Sequence, residues 1–399
     1  MNRRNILLFL YSLSAVVFFQ DEDLVFIPKI FAGLLVVEYI MGMIGKRNDM
    51  KGCIAIWCLL YFSLYAMVSF GFLPYDLPPE SILNIVMILV LSISVFNLVD
   101  NKASYNAIII GLTIGLLCGY VLNIFDPLVD EFGRIGRFAG TVGNPNFFAL
   151  LINFLIAFIL YGYDKYTRLQ KNLVLIFVVI SLYQVVMSGS KMGLLLYLIN
   201  VLYLVFYIKP VKSAAGIVLI TVIIAAISGY MLSNLVSDNS VSFNRVQYLQ
   251  NVFSGKDAYS ESDLMRYSLA TKGMDLWSQS PIFGWGYGSF IYLGGFGLYT
   301  HNNPIELLSN TGVIGFLLFH ISLIQLIVIS TRTHVNRRKN IYWAIYFSLI
   351  VMVGSFGIVL LSDKLYWLLY FTLLAYMKME SMPLNTAIPK QREVLIKSI

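Results

Sequence analysis

Long apolar runs alternate with short polar segments along most of this chain. Runs of roughly 17–23 apolar residues are long enough to cross a bilayer as helices, and about twelve such runs occur here. They lie near 5–20, 24–44, 53–73, 81–99, 104–125, 146–163, 172–188, 192–208, 213–235, 312–330, 341–361 and 365–379. The pattern predicts an all-α integral membrane protein with about twelve transmembrane helices.

Two polar segments between the runs, 126–145 and 236–311, are too long to be simple turns. The second divides the chain into nine predicted spans within 1–235 and three within 312–380. We expect the 236–311 segment to be a long loop that contains short helices. The remaining residues, 381–399, are polar and basic and are predicted to be a tail.

One helix of the long loop is predicted over residues 263–279, because Ser260 and Asp263 have capping-box spacing and Pro281 follows. Helical spacing places four of its residues on one face, namely Arg266, Ala270, Gly273 and Trp277. Four apolar side chains are expected to pack on the bundle, namely Leu264, Tyr267, Met274 and Leu276.

Composition supports the membrane assignment, because 12% of the residues are charged, whereas a soluble domain has about 25%. The net charge of +7 does not indicate nucleic-acid binding. Nineteen of the 28 Lys and Arg residues fall in segments on one side of the predicted bundle, which the positive-inside rule makes cytoplasmic. Both termini are then cytoplasmic, and the 236–311 loop lies on the external face of the cytoplasmic membrane.

The apolar runs contain few residues with chemistry of their own. Cys53, Cys58 and Cys118 all fall in apolar segments, so no disulfide is expected. Lys29 and Glu38 lie in the second run, where the lysine can extend to the membrane surface and the carboxylate can pair within the bundle.

Four external cations are candidate ligands for an anion at the membrane surface, namely Arg137, Lys191, Arg245 and Arg266. The alternative is that they are interfacial side chains that contact lipid headgroups. Asn144 and Asn146 lie in a turn that follows Arg137 and are expected to support the same site. Trp285 and Tyr287, between flexible glycines, either form a stacking surface for sugar rings or are an interfacial aromatic pair.

His301 ends the long loop, and its imidazole is suited to proton transfer near neutral pH. It is a general base, a structural histidine or a metal ligand, and the last interpretation lacks partner ligands nearby. Asn302 and Glu306 are four residues apart and are expected to orient each other. Gly312 and Gly315 are expected to permit a close helix crossing.

His301 and Asn302, followed after nine residues by Gly312-Val313-Ile314-Gly315, resemble the signature of the bacterial O-antigen ligase and polymerase superfamily. Further similarities are an arginine before a Gly-Asn-Pro-Asn turn and an arginine before a Trp and a Pro-x-x-Gly-x-Gly pattern. The matching residues are Arg137 before 143–146, and Arg266 before Trp277, Pro281, Gly284 and Gly286. Lys191 stands where the family's Ser-x-Ser-Arg motif has arginine, and it keeps the charge but loses the bidentate fork.

The resemblance implies a GT-C-type glycosyltransferase that needs no metal, cofactor or nucleotide sugar. Its donor would be an oligosaccharide on undecaprenyl diphosphate. His301 would deprotonate the acceptor hydroxyl, and Arg137, Lys191 and Arg266 would hold the diphosphate, with Arg245 as a weaker candidate. A polymerase is expected, with a ligase as the alternative and a polysaccharide or lipid transporter as the alternative from another class. Membrane lipid and a chain-length regulator protein are further candidate partners.

Overall fold

The computed structural model describes residues 2–18, 23–43, 53–72, 79–125, 138–204, 261–333 and 337–381. Several sequence predictions lie outside these described residues, namely those for Arg137, Arg245, the ninth span at 213–235, the loop up to residue 260 and the tail from residue 382.

The described residues form thirteen α-helices and two short 3₁₀ turns, and no strand occurs among them. The helices are α1 (Arg3–Val17), α2 (Phe26–Met43), α3 (Ile54–Phe72), α4 (Pro79–Leu98), α5 (Lys102–Phe125), α6 (Pro145–Tyr161), α7 (Arg168–Met187), α8 (Lys191–Tyr203), α9 (Glu261–Gln279), α10 (Phe290–Leu293), α11 (Asn303–Thr331), α12 (Arg337–Ser355) and α13 (Lys364–Ser381). The predicted all-α class is confirmed, and eleven of the twelve predicted spans coincide with helices in the described residues.

Five helices are long and apolar enough to cross a membrane, namely those at Phe26–Met43, Ser81–Leu98, Lys102–Leu122, Arg168–Met187 and Asn303–Thr331. Three shorter apolar helices occur at Ile54–Ser69, Pro145–Tyr161 and Lys191–Tyr203. This composition is consistent with an all-α membrane protein.

Polar caps start the helices of the bundle where the sequence places them. Asn144 accepts hydrogen bonds from the backbone N–H groups of Asn146 and Phe147, and Pro145 occupies the first turn of α6. Ser190 caps α8 in the same way by accepting from Gly193. Almost all of α6 is buried, so it lies at the centre of the bundle.

The two ends of the bundle differ in character. At one end, ion pairs join helix termini through Arg4 and Asp100 at 2.7 Å and through Lys339 and Asp164 at 2.6 Å. The other end contains the starts of α6, α8, α11 and α13 and is called the site end below. Lys191 begins α8, His301 precedes α11, and α9 meets the start of α11 at Ile305, so all three belong to the site end.

Helix α2 is peripheral, since Leu35 is its one buried residue. Its outer face presents apolar side chains such as Phe26, Ile30 and Val37, which are about half exposed. Glu38 pairs at 3.3 Å with Arg3, the largely exposed first residue of α1, so the pair lies at the edge of the bundle.

Candidate functional site

The α11 helix is interrupted at Gly312, whose backbone is left-handed and extended, with φ 64° and ψ −167°. The segment 281–286 lies against this break and satisfies its backbone groups. Trp285 and Gly286 donate N–H bonds to the carbonyls of Ser309 and Asn310 at 3.0 and 2.9 Å. In return, Val313 donates to the carbonyl of Pro281 at 2.9 Å. The break can therefore be buried, because backbone N–H and C=O groups that lack partners within the helix hydrogen-bond the 281–286 segment instead.

Gly284 and Gly312 are required at this crossing. A Cβ on Gly312 would lie 2.1 Å from the carbonyl oxygen of Ile282, and one on Gly284 would lie 2.5 Å from the backbone of Asn310 and Thr311. Both residues also have positive φ, which glycine adopts most easily. The expectation of a helix crossing at Gly312 is corrected, because this glycine meets an irregular segment; Gly315 does face α3, at Phe62.

His301 is the one non-glycine residue with positive φ in the described part of the chain, at 55°. Hydrogen bonds on both sides fix this unusual backbone. The Thr300 hydroxyl donates to the carbonyl of Asn302 at 2.8 Å and accepts from its N–H at 3.2 Å. The Asn302 side chain caps α11 by accepting from Ile305. Such conformations persist where the surroundings over-determine them, and they cluster at functional sites.

Glu306 anchors the same loop from the buried face of α11. Its carboxylate accepts the N–H of Thr300 at 2.8 Å and the side-chain amide of Asn310 at 2.8 Å. The Asn310 oxygen accepts from the Ser289 hydroxyl and the Phe290 N–H, both at 2.9 Å. The expectation that Asn302 and Glu306 orient each other is therefore corrected. Both side chains act on the backbone that carries His301, but through separate hydrogen bonds.

The His301 ring packs against Tyr299, with 4.1 Å between ring centroids. Burial lowers the pKa of His301 below its ordinary value, and the positive charge of Arg266 lowers it further. The imidazole is thus held neutral near pH 7, which is the form that can accept a proton. The Arg266 guanidinium makes no hydrogen bond or ion pair with any described residue.

A cavity of about 420 Å³ lies beside this loop and is called the polar cavity below. Its wall includes three of the predicted supporting residues, namely Asn144, Tyr287 and Glu306. Tyr299 links the cavity to His301, because it lines the wall, contacts the imidazole and hydrogen-bonds Asn144. His301, Arg266 and Asn302 are outside the cavity lining among the described residues.

The two described candidate cations occupy different positions. Arg266, on α9, lies close enough to act electrostatically on both Tyr299 and His301. Lys191 is exposed at the first turn of α8 and does not line the polar cavity. Asn146 follows the Asn144 cap and is partly buried. The structure thus brings Arg266 and Asn144 to the His301 loop, whereas Lys191 lies at the same end of the bundle.

The packing of α9 differs from the expectation. Leu264, Tyr267 and Met274 are exposed, whereas Leu276 is buried as predicted. The buried face instead contains Leu269 and Gly273, and a Cβ on Gly273 would lie 2.3 Å from a methyl carbon of Ile305. This face packs against the start of α11, because Gly273 has no side chain and the two helices can approach closely there.

Trp285 and Tyr287 have separate roles. Trp285 donates its indole N–H to the carbonyl of Leu276 at 2.8 Å and so ties the glycine-rich turn to α9. Tyr287 is buried in the cavity wall. The predicted aromatic pair therefore does not form one continuous surface.

Sequence reasoning missed Tyr299, Asn310 and Asp363. Asp363 enters the polar cavity from the turn before α13, and burial raises its pKa to about 7. Tyr299 and Asn310 could have been found from the sequence, because they lie two residues from His301 and four residues from Glu306. Nothing in the local sequence links the 360–363 turn to the His301 loop, but Asn303 accepts the N–H groups of Leu360 and Leu361 and joins the two.

No curated protein matches the chain. One family model does, and its match contains Lys191, Arg266, the His301 loop and the break at Gly312. Asn144 and Asp363 lie outside the matched residues. Residues 176–320 match the family described as O-Antigen ligase, which is consistent with the O-antigen ligase and polymerase superfamily and supports a function of that general type.

Proposed function

We propose that the protein is a surface-polysaccharide polymerase that acts at the external face of the cytoplasmic membrane. It transfers a glycan from undecaprenyl diphosphate to a sugar hydroxyl of a second lipid-linked repeat. The observation that carries this proposal is the His301 loop, which hydrogen bonds of Thr300 and Glu306 hold beside a polar cavity. Its imidazole is neutral near pH 7, and the nearby Arg266 guanidinium has no hydrogen-bond or ion-pair partner among the described residues.

In the proposed reaction, His301 accepts the proton of the acceptor hydroxyl. The acceptor oxygen forms a bond to the anomeric carbon of the donor, and the bond from that carbon to the diphosphate oxygen breaks. Attack from the face opposite the leaving group inverts the anomeric configuration. The lipid diphosphate leaves with its negative charge, which Arg266 stabilises. The resemblance to the superfamily implies that no metal takes part.

Lys191 is a second candidate for the diphosphate, on the basis of its place in the Ser188-Gly189-Ser190-Lys191 turn. Arg137 and Arg245 remain proposed diphosphate ligands from sequence alone. Asn144 and Tyr299 border the polar cavity with a hydrogen bond between them, and they are placed to contact sugar hydroxyls.

The test is a reconstituted reaction with purified protein in liposomes and a purified lipid-linked repeat. New glycosidic bonds and a ladder of longer lipid-linked products are expected. Transfer to a lipid A core or a protein, with no ladder on the lipid-linked repeat, would identify a ligase instead. Movement of unchanged lipid-linked repeat across the bilayer, without new bonds, would identify a transporter and overturn the proposal.

The pH dependence of chain extension should report on Arg266. Because its positive charge lowers the pKa of His301, the neutral base persists to lower pH in the wild-type protein. Arg266→Gln raises that pKa, so the acid limb of the rate profile at saturating donor should move to higher pH. Lys272→Gln is the control, because Lys272 lies on the same helix but pairs with Asp275 at 3.2 Å. An acid limb that stays in place in Arg266→Gln contradicts the assignment of His301 as the base.

Glu306 should act as a positioning residue. In Glu306→Gln an NH2 group replaces one of the two carboxylate oxygens. An NH2 group cannot accept a hydrogen bond, so either the Thr300 N–H or the Asn310 side-chain amide loses its acceptor. A loss of roughly 1–3 kcal/mol is expected for an unsatisfied buried group, equivalent to a fall in kcat of roughly 5–150-fold if it appears in the transition state. Chain extension at saturating donor and acceptor measures it.

The double variant Glu306→Gln with Asn310→Asp provides the rescue. The new amide then donates to the new carboxylate, Thr300 keeps an acceptor, and the second carboxylate oxygen still serves Ser289 and Phe290. Recovery of most of the lost kcat is expected. If the double variant is no better than Glu306→Gln, the proposed hydrogen-bond network does not position His301.

A further inference from the structure

A second cavity, of about 520 Å³, lies at the site end between α1, α2, α4 and the start of α13 and is called the α2–α4 cavity below. Its wall is mainly apolar, with small side chains on α1 and α2 that leave room. The lining residues used here are Ala15, Ala32, Gly33, Val36, Met87 and Leu91. Its volume is within the range of about 300–1,000 Å³ that small-molecule pockets have.

The cavity is open along α2. A Cβ on Gly33 would meet no heavy atom of the described residues within 4 Å, although Gly33 lines the cavity. Residues of α2 before and after it, such as Ile30 and Leu34, are exposed. In a membrane this opening faces the hydrocarbon region, so an apolar chain can enter from the bilayer.

Two lysines lie at the polar end of the α2–α4 cavity, Lys29 on α2 and Lys364 at the start of α13. Their charges repel each other. Neither forms a hydrogen bond or ion pair within 4 Å with a described residue. The nearby Asp363 attracts Lys364, but its pKa of about 7 leaves only part of a negative charge there at neutral pH. A bound anion would relieve the remaining repulsion.

Three residues separate this cavity from the polar cavity, because Asn84, Ser362 and Asp363 line both. The Asn84 amide donates to the carbonyl of Ser362 at 3.1 Å and holds the shared wall together. A phosphate group at Lys29 and Lys364 would therefore lie next to the space beside the His301 loop. The two lysines would attract the phosphate of any lipid, but only a lipid that carries a reacting sugar also uses the space beside the His301 loop.

We propose that the α2–α4 cavity binds the isoprenoid chain of the acceptor lipid, with its phosphate groups on Lys29 and Lys364. This inference rests on the proposed function, and it adds a lipid site distinct from the donor diphosphate site assigned to Arg266 and Lys191. Basic side chains at a pocket between membrane helices are suited to lipid phosphates. A polymerase must hold two lipid-linked substrates together, and two adjacent cavities at one end of the bundle meet that need.

Photo-crosslinking locates the lipid without relying on catalysis. The photoreactive residue p-benzoylphenylalanine is introduced at Gly33, or at Gly42 as the matched control. A Cβ on Gly42 also meets nothing described within 4 Å, and Gly42 is outside the cavity lining. Full-length protein in phosphatidylglycerol nanodiscs is irradiated with undecaprenyl diphosphate, and the adduct is measured by mass spectrometry. At least a tenfold excess of adduct at position 33 over position 42 is expected.

Variants of Lys29 and Lys364 form the second part of the crosslinking experiment. Lys29→Ala with Lys364→Ala should lower the undecaprenyl diphosphate adduct at position 33 at least tenfold, and the corresponding arginine variants should retain it. Equal adducts at positions 33 and 42, an adduct independent of the lysines, or displacement by added phosphatidylglycerol would each overturn the proposal. The last outcome would identify the occupant as an ordinary phospholipid.

Kinetics then separate this inference from the proposed function. Lys29→Ala with Lys364→Ala should raise the KM for the acceptor repeat at least tenfold and leave the KM for the donor unchanged, and Gly42→Leu should change neither KM. If chain extension proceeds normally in the double lysine variant, the acceptor site is wrong and the polymerase proposal stands. If the lysine-dependent adduct forms but no transfer occurs under any condition, the lipid site stands and the polymerase proposal fails.

Discussion

His301→Ala should reduce chain extension by about 10²–10⁴-fold, the usual contribution of a positioned general base. The protein should still fold, because no described residue uses the His301 imidazole as a hydrogen-bond partner and the loop is held by Thr300, Asn302 and Glu306. Removing a side chain from a left-handed position does not remove those bonds. The measurement is single-turnover extension of a purified lipid-linked repeat, with donor binding followed in parallel.

His320→Ala is the matched control. His320 is also on α11, but its ring bonds the carbonyl of Phe316 at 2.7 Å and packs against aromatic side chains within the bundle. Its extension rate should remain within about threefold of wild type, since it lies beyond the break at Gly312 and takes no part in proton transfer. If His301→Ala extends chains at nearly the wild-type rate, the assignment of His301 as the general base is wrong. Loss of donor binding together with extension would make His301 a binding residue.

Gly312→Ala and Gly284→Ala should each destabilise the protein by about 2–5 kcal/mol. A left-handed backbone costs a non-glycine residue about 1–2 kcal/mol, and overpacking costs about 1–3 kcal/mol more. The second cost applies here because the new Cβ would meet backbone atoms at 2.1 and 2.5 Å, and backbone cannot rotate away as a side chain can. Loss of the crossing would also release the loop that carries His301.

Gly297→Ala isolates the conformational cost. Gly297 has φ 64° but nothing described within 4 Å of an added Cβ, so only about 1–2 kcal/mol should be lost. Thermal unfolding in detergent can be followed with a thiol-reactive dye, because Cys53 and Cys58 are free and buried in the folded protein. If all three alanine variants unfold at the same temperature, steric contact at the crossing contributes nothing.

Local sequence determined most of the helices of this protein. Apolar runs of membrane-spanning length fixed the bundle helices, since a bilayer leaves backbone groups no other partners. Asn144 before Pro145, and Ser190 before Lys191, marked helix starts because their side chains satisfy the first free N–H groups. The α9 helix was predicted over 263–279 and observed at Glu261–Gln279, because the spacing of Ser260 and Asp263 and the position of Pro281 are local sequence signals.

The direction in which α9 packs was decided by tertiary structure. The sequence offered apolar residues on more than one face, and Leu264, Tyr267 and Met274 proved exposed. The buried face was selected by Gly273, where the backbone of α9 meets Ile305. Shape complementarity between two helices does not follow from the hydrophobicity of either one.

The sequence by itself marked His301, Glu306, Gly312 and the Pro-x-x-Gly-x-Gly segment as a pattern, but it could not say how they meet. Only the tertiary structure decided that Gly284 and Gly312 cross, that Glu306 holds Thr300, and that Asp363 reaches the same cavity. Helix formation depends on hydrogen bonds between residues four apart, so it can be read locally. The site depends on segments 24–57 residues apart that satisfy each other's polar groups, and those pairings exist only once the chain has folded.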